Sequence, residues 1–436
     1  VIAAATLDGW AADRLGLREP LDRARFDAAR LRLLNATIER VRQASPFYRA
    51  HGLPSRRLAS FADLAGVVPT RPDDLVRGVP PFLAVSQSAV ARVVTLSTSG
   101  TTGAPKRFSF SAADREATLA FFAAGMGLFT GRGDRVGIFF SGERPGGIGD
   151  GLAEVVRRLG AEPLFVPADT AEGAVAVLRA ERPTVLAGPP VALLAAGRTA
   201  RADGGRPVTV RAVLSSGEAL RSSVRRGLRR VFEAEVHDHW GMTETGYGGA
   251  VDCAVHAGLH LREADLLVEV VDPATGRPLP DGDTGEIVVT TLCAEAMPLL
   301  RYATGDRGRL LAGRCACGSV LKRLDPAIGR IGDGLEIAGG GRISLARLDE
   351  RLFALDFVTD VAATLDAGDP PTLAIEVGVP AVWRGRGALA VVRATLVADP
   401  QIGPAIEAGR LRLDVRSADG ALVPRSGKRR IRRLPE

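Results

Sequence analysis

The sequence predicts an α/β protein in three parts. A large N-terminal domain, residues 1–330, is expected to be built on doubly wound, mainly parallel sheets, with a β-rich subdomain over about 251–330. A small C-terminal α+β domain, residues 331–436, follows it. Three observations carry this reading. Between Arg135 and His239 short apolar runs alternate with stretches of helical spacing. That is the pattern of parallel strands buried on both faces and joined by crossover helices. From Leu259 the pattern changes to strands separated by turns, and near Gly329-Arg330-Ile331-Gly332-Asp333-Gly334 the chain becomes glycine-rich, leaving a remainder the size of a small module.

Each element has a local reason. Leu31, Leu34, Ile38 and Val41 recur at helical spacing and predict an amphipathic helix over 22–43, closed by Ser45-Pro46. Residues 50–90 are Pro-rich and read as irregular, leading into a strand over Val93–Leu96. Ser111 with Asp114 forms an N-cap for a helix to about Phe129, stopped by Gly131. Strands are then expected over 135–140, 163–166, 184–187, 208–214 and 235–239, with helices over 149–159, 171–180, 191–196 and 220–232 between them. Residues 266–271 and 285–291 should pair around the turn Asp272-Pro273-Ala274-Thr275-Gly276, and a further strand ends in Arg301-Tyr302-Ala303-Thr304-Gly305-Asp306. Residues 357–365 and 372–377 read as strands of the C-terminal module.

Composition excludes several classes. No run of eighteen apolar residues is present, the first ten residues lack a leader layout, and four cysteines make no disulfide framework in 436 residues. A soluble cytoplasmic protein without a membrane partner is expected. The net charge is +7, but the arginines are spread along the chain with no basic and aromatic stripe, so no nucleic-acid partner is expected. Only three of the 57 basic residues are lysines: Lys106, Lys322 and Lys428. In so arginine-biased a chain, a lysine marks a place where a compact ammonium suits better than a planar fork.

The chemistry-bearing residues fall in a few places. In the loop between Leu96 and Ser109, Thr98, Ser99, Thr101 and Thr102 surround Gly100 and Gly103, and Lys106 adds a charge. Backbone N–H groups and hydroxyls so arranged can cradle phosphate oxygens; a flexible Gly/Thr turn fits the same residues equally well. Ser215-Ser216-Gly217-Glu218 and the run from His237 to Gly246 sit at predicted strand ends, where ligands of parallel sheets bind. Cys253-x6-His260 and Cys315-x-Cys317 supply three thiolates and one imidazole, a set that suits a closed tetrahedral zinc site. Gly313 and Gly318 look like knuckle turns, His256 is an alternative ligand, and Cys293 reads as a buried strand cysteine. Four separate reduced or buried residues is the competing reading.

Together these motifs resemble the acyl-adenylate-forming superfamily of acyl- and aryl-CoA ligases, above all its phenylacetate-CoA ligase-like branch, over nearly the whole chain. The resemblance implies that Thr98-Ser99-Gly100-Thr101-Thr102-Gly103 with Lys106 is the phosphate loop, and that Ser216-Gly217-Glu218 lies against adenine. It makes Trp240-Gly241-Met242-Thr243-Glu244 the aromatic-Gly-x-Thr-Glu motif, with Trp240 stacking on adenine, Thr243 donating to the α-phosphate and Glu244 carrying Mg²⁺. Asp306 and Arg330 would hold the ribose, and Lys428 would stabilise the adenylation transition state. Trp240 taken alone also fits a core tryptophan, and Lys428 one more charge in a basic tail.

The implied reaction uses ATP to convert a carboxylic acid to an acyl-AMP, which the thiol of CoA then attacks. The C-terminal domain would be mobile, rotating about residues 330–334 to exchange Lys428 for Gly339–Gly341. At this hinge Gly332 stands where the family commonly has a charged residue, with Asp333 beside it. This branch carries a Cys/His set similar to Cys253, His260, Cys315 and Cys317, which adds structural zinc to the expected cofactors. Pocket walls are expected from Phe139-Phe140-Ser141-Gly142, Gly146-Gly147-Ile148, Gly188-Pro189-Pro190 and Gly246-Tyr247-Gly248-Gly249, a mix that suits flat or medium-sized acids, aryl acids among them. Two other classes fit the same motifs: an adenylyltransferase acting on a hydroxyl without CoA, and a nucleotide-binding non-enzyme. Intact Lys106, Glu244, Asp306 and Lys428 argue against the latter. The oligomeric state is left open between monomer and homodimer.

Overall fold

A computed structural model describes residues 7–77, 80–96, 106–337, 341–418 and 429–433. The phosphate-loop residues Thr98 to Gly103, as well as Gly339, Gly340 and Lys428, lie outside the described residues. The chain packs as two compact units. The first comprises residues 1–132, 145–161 and 237–331, and the second residues 133–144, 162–236 and 332–436.

In the first unit the long helix Arg23–Ala44 is capped by Asp22, whose side chain accepts from the Arg25 N–H, and ends where the Ser45 N–H returns to Val41 O. Its apolar face places Leu34, Ile38 and Val41 in a core with Tyr48, Phe82, Phe108 and Tyr302. Among the described residues from 51 to 90 the chain forms only short 3₁₀ turns, as its prolines dictate. The strand Arg92–Leu96 pairs antiparallel with Lys106–Phe110, so a hairpin flanks the hydroxyl-rich loop. Sequence patterning missed this second strand, because Lys106 and Arg107 break the apolar alternation. The helix Ala112–Met126 carries the full Ser111/Asp114 capping box but stops short of the expected Phe129, with the Gly127 N–H bonded back to Ala123 O. The helix Leu7–Leu15 was also unanticipated.

A four-stranded antiparallel sheet and an antiparallel run of strands complete this unit. In one, Leu266–Val271 and Gly285–Thr291 pair as expected, followed by Tyr302–Gly308 and Gly329–Arg330. In the other, Leu310–Leu311, Arg323–Leu324, Leu259–Leu261 and Ala250–Asp252 lead to the end of Glu235–Trp240.

The second unit contains the parallel strands, in the order Ala212–Ser215, Val185–Gly188, Arg135–Ile138, Glu162–Phe165. The crossover helices are Ala171–Glu181 and Pro190–Ala202, with Ser222–Phe232 after the last strand. The expected strand over 208–214 is reduced to Ala212–Ser215, and the expected helix over 191–196 extends to Ala202. The same unit holds a mixed sheet in the order Arg412–Ser417, Thr372–Gly378, Asp360–Leu365, Arg432–Arg433, packed with the helices Leu345–Leu352 and Ala388–Val397 in one shared core. Among the described residues no helix is long and apolar enough to cross a membrane.

Candidate active site

The strand Glu235–Trp240 delivers the chain to a tight loop that only glycine permits. A Cβ on Gly241 would stand 1.9 Å from the Tyr247 carbonyl oxygen, so any side chain there would force the loop apart. Thr243–Thr245 then forms a single 3₁₀ turn, closed by Gly246 at φ 72° and by the Tyr247 N–H bonding to Met242 O at 2.7 Å. The Glu244 Oε1 accepts from the Tyr302 hydroxyl at 3.1 Å. Burial and then the Glu244 charge push the Tyr302 phenol upward, so it stays protonated and keeps donating. Burial depresses the Lys106 ammonium, opposed by Glu244 and Asp73 and reinforced by Arg330. Lys106, Glu244 and Arg330 therefore act on one another within one site.

Asp306 is placed by a distortion of its strand. Tyr302–Gly308 carries a register shift opposite Glu286–Val288, with Gly305 at φ 71°. The Thr304 hydroxyl donates to Ile287 O at 2.7 Å and accepts from the Asp306 N–H at 2.9 Å, which fixes the bulge. Such bulges re-aim a side chain. Here the Asp306 Oδ1 accepts from Arg330 Nη1 at 2.6 Å, and its Oδ2 from the Trp240 indole N–H at 3.2 Å. Arg330 also donates to Thr304 O at 2.9 Å. Burial works against the Arg330 charge, but Asp306 outweighs it and raises the pKa. Trp240 itself is 8% exposed, in a core with Ala250 and Leu261.

The first unit thus brings together Lys106, Trp240 to Glu244, Tyr302, Asp306 and Arg330. Ser216, Gly217 and Glu218 belong to the second unit, after the strand Ala212–Ser215. There the Ser216 N–H donates to Gly188 O at 3.0 Å, and Gly217 takes φ 90° with the Phe140 ring against it.

Cys253, His260, Cys315 and Cys317 converge, with their ligand atoms within 4.8 Å of one another. Cys253 Sγ lies 3.9 Å from Cys315 Sγ, and Cys317 Sγ 3.3 Å from His260 Nε2. A tetrahedral zinc with bonds of about 2.0–2.3 Å separates its ligand atoms by roughly 3.5–3.8 Å, so these spacings fit that ion. Gly313 and Gly318 take φ 73° and 90°, and the Gly318 N–H closes a turn on Cys315 O. His256 stays outside the cluster, with Nδ1 2.8 Å from the Asp252 carboxylate. Cys293 is also apart, its thiol pushed up to about 12 by burial.

A cleft beside the Glu244 turn is walled by Phe110, Thr118, Glu244, Thr245 and Gly246. Phe110, Thr118 and Gly246 also wall a second recess, with Phe122, Gly146, Gly147, Tyr247 and Arg92. Gly146, Gly147 and Tyr247 were expected as pocket walls. Arg92, Phe110, Thr118 and Phe122 were not, because nothing in their local sequence distinguishes them from strand and helix residues. In the second unit Phe139 is buried, and a Cβ on Gly188 would lie 2.4 Å from its Cβ.

Known proteins bear on this site. The sequence profile of the family described as AMP-binding enzyme matches residues 84–294. The chain is 33% identical over 343 residues to a phenylacetate-coenzyme A ligase of Thermus thermophilus, covering 74% of each chain. It is 30% identical to a phenylacetate-coenzyme A ligase of Pseudomonas putida, covering 75% of this chain and 76% of the other. Among solved structures, 2-hydroxyisobutyryl-CoA ligase in complex with 2-HIB-AMP superimposes with a TM-score of 0.79 at 22% identity, over 95% of this chain and 90% of that one. The fold is therefore shared with that ligase, and the chain belongs to the AMP-binding enzyme family, in its phenylacetate-coenzyme A ligase-like branch.

Proposed function

We propose that the protein is an AMP-forming acid–CoA ligase. It would condense an organic acid, aryl acids such as phenylacetate among them, with ATP to give acyl-AMP and pyrophosphate. CoA thiol would then displace AMP to give the thioester. The observation that carries this reading is the grouping, in one unit, of Lys106, the Thr243–Glu244 turn and the Asp306–Arg330 pair. It joins a cation for phosphate, an oxygen ligand for a metal and a carboxylate for ribose.

The chain's residues divide the work. Lys106 with Thr98 to Gly103 would hold the β- and γ-phosphates, and the Thr243 hydroxyl would donate to the α-phosphate. Tyr302 donates to one Glu244 oxygen, and the other would be available to hold Mg²⁺. Bound there, Mg²⁺ would neutralise charge on the phosphate oxygens. Asp306 has lone pairs beyond those used by Trp240 and Arg330, enough to accept from ribose hydroxyls. Trp240 and Ser216 to Glu218 would border the adenine. Lys428, near the C-terminal end of the segment 331–436, would stabilise charge in the adenylation transition state. Cys253, His260, Cys315 and Cys317 would hold a structural Zn²⁺ that leaves no open position for catalysis. The four free cysteines fit a reducing, cytoplasmic setting.

The test is incubation with ATP, Mg²⁺, CoA and a panel of acids including phenylacetate and benzoate, with products followed by mass spectrometry. An acyl-CoA and AMP are expected in equal amounts. AMP attached to a hydroxyl acceptor with no thioester would replace the second step by adenylyl transfer. No acid-dependent use of ATP would overturn the reading.

A further inference from the structure

Resting on the acid-activating reading above, we propose that Arg92, braced by Tyr247, selects acids that carry a second oxygen acceptor at the end remote from the reacting carboxyl. That acceptor would be a carboxylate, hydroxyl or carbonyl.

Three features converge on this pair. Tyr247 takes φ 73°, a left-handed conformation that is strained for a non-glycine residue. The strain is held by its N–H bond to Met242 O at 2.7 Å and by its carbonyl, which fills the space against Gly241. The strained backbone sets the Tyr247 side chain in the wall of the recess. There its hydroxyl accepts from Arg92 Nη2 at 2.7 Å, with the guanidinium carbon 5.3 Å from the ring centroid. On the other side, a Cβ on Gly146 would come within 3.1 Å of the Arg92 Cδ and Nε, so the glycine leaves room for that side chain.

Arg115, in the same recess, is paired with Glu154 and Asp150. Among the described residues no carboxylate stands within ion-pair distance of Arg92, which is half-buried. A guanidinium has five N–H donors, and Tyr247 engages one nitrogen, so donors remain for a ligand. The recess shares Phe110, Thr118 and Gly246 with the cleft at Glu244, where the reacting carboxyl would lie. An acid lying with its carboxyl at Thr243–Glu244 and its body between Phe110 and Phe122 would present its far end to Arg92. An apolar far end would leave the donors unmatched, a discrimination that binding sites built on hydrogen bonds make strongly.

The experiment compares matched acids by acid-dependent ATP–pyrophosphate exchange: phenylacetate against 4-hydroxyphenylacetate and 4-carboxyphenylacetate, and hexanoate against adipate. The readout is the ratio of kcat/KM within each pair, which does not depend on how much of a variant is folded. The oxygen-bearing member of at least one pair is expected to be preferred about tenfold or more. Arg92→Met should bring that ratio close to one, and Arg92→Lys should keep part of it. A ratio unchanged in Arg92→Met, or no preference in the native protein, overturns the inference while leaving acid activation intact. A rise in KM for ATP with the ratio unchanged would place Arg92 with the triphosphate and overturn it too. If no acid supports exchange, acid activation itself fails.

Discussion

The Tyr302 hydroxyl and the Glu244 carboxylate show how single atoms tune this site. The hydroxyl holds one carboxylate oxygen in place, and its own burial keeps it a donor. Tyr302→Phe should therefore slow acid-dependent exchange by roughly 10- to 100-fold, the worth of a hydrogen bond to a charged group. Exchange at the native rate would remove the bond from the mechanism. Gly241→Ala should be more damaging, because its Cβ would collide with the Tyr247 carbonyl at 1.9 Å. We expect a loss of about 1–3 kcal/mol in denaturant unfolding, with exchange near background. At this scale the sequence was informative where a motif is contiguous. Trp240 to Glu244 and Tyr302 to Asp306 were legible as runs. Arg92 was not, because its partner Tyr247 lies 155 residues away and no periodicity links the two. The Asp306–Arg330 pair was legible as two candidates for one sugar. Its bond to the Trp240 indole was not, since it depends on a bulge that leaves no pattern in the apolar residues.

The knuckle around Cys315 and Cys317 meets Cys253, just past the strand Ala250–Asp252, and His260 in Leu259–Leu261, and a metal there would tie its turn to these short strands. Purified protein should contain one zinc ion per chain. Cys315→Ser should lose it, and chelation should lower the unfolding midpoint; full metal content in the variant would discard this ligand set. The helix Arg23–Ala44 depends on a different tie. Arg23 and Arg30 both reach the buried Glu263, at 2.8 and 3.1 Å, and Arg30 also donates to the Glu263 backbone carbonyl. Burial alone would raise the Glu263 pKa, but the two arginines win and depress it. A carboxylate depressed in the folded state contributes stability above its unfolded pKa and loses it as pH falls through the folded one. Glu263→Gln leaves the buried Arg30 and the half-buried Arg23 with Asp27 as their remaining counter-charge, and should cost about 2 kcal/mol at neutral pH in urea unfolding. A change under about 0.5 kcal/mol would be that of an ordinary surface substitution and would rule the tie out. The helix itself was legible from its apolar spacing. Arg30 was not legible as a core residue, because a buried charge looks like any surface arginine until its partner is known.

Over the whole molecule, the alternation from Arg135 to Glu235 was readable because parallel strands covered on both faces must be continuously apolar. The antiparallel pair Leu266–Val271 and Gly285–Thr291 was readable from its turn. The hairpin strand Lys106–Phe110 was not, since charge at its start hides the pattern. The way residues 332–436 share a core with residues 162–236 was also hidden, because sequence proximity says nothing of it. The scarcity of lysine pointed to Lys428, which the proposed mechanism uses in one half-reaction only. Lys428→Ala should suppress acyl-AMP formation by about 10²-fold or more while leaving CoA capture of supplied acyl-AMP largely intact. Equal loss in both halves would assign the lysine another role. The most direct measurement of the central claim is isotope exchange between labelled pyrophosphate and ATP, with and without carboxylic acids, in the zinc-replete native protein. Exchange should require both Mg²⁺ and an acid. Exchange indifferent to every acid, or none at all, would contradict it.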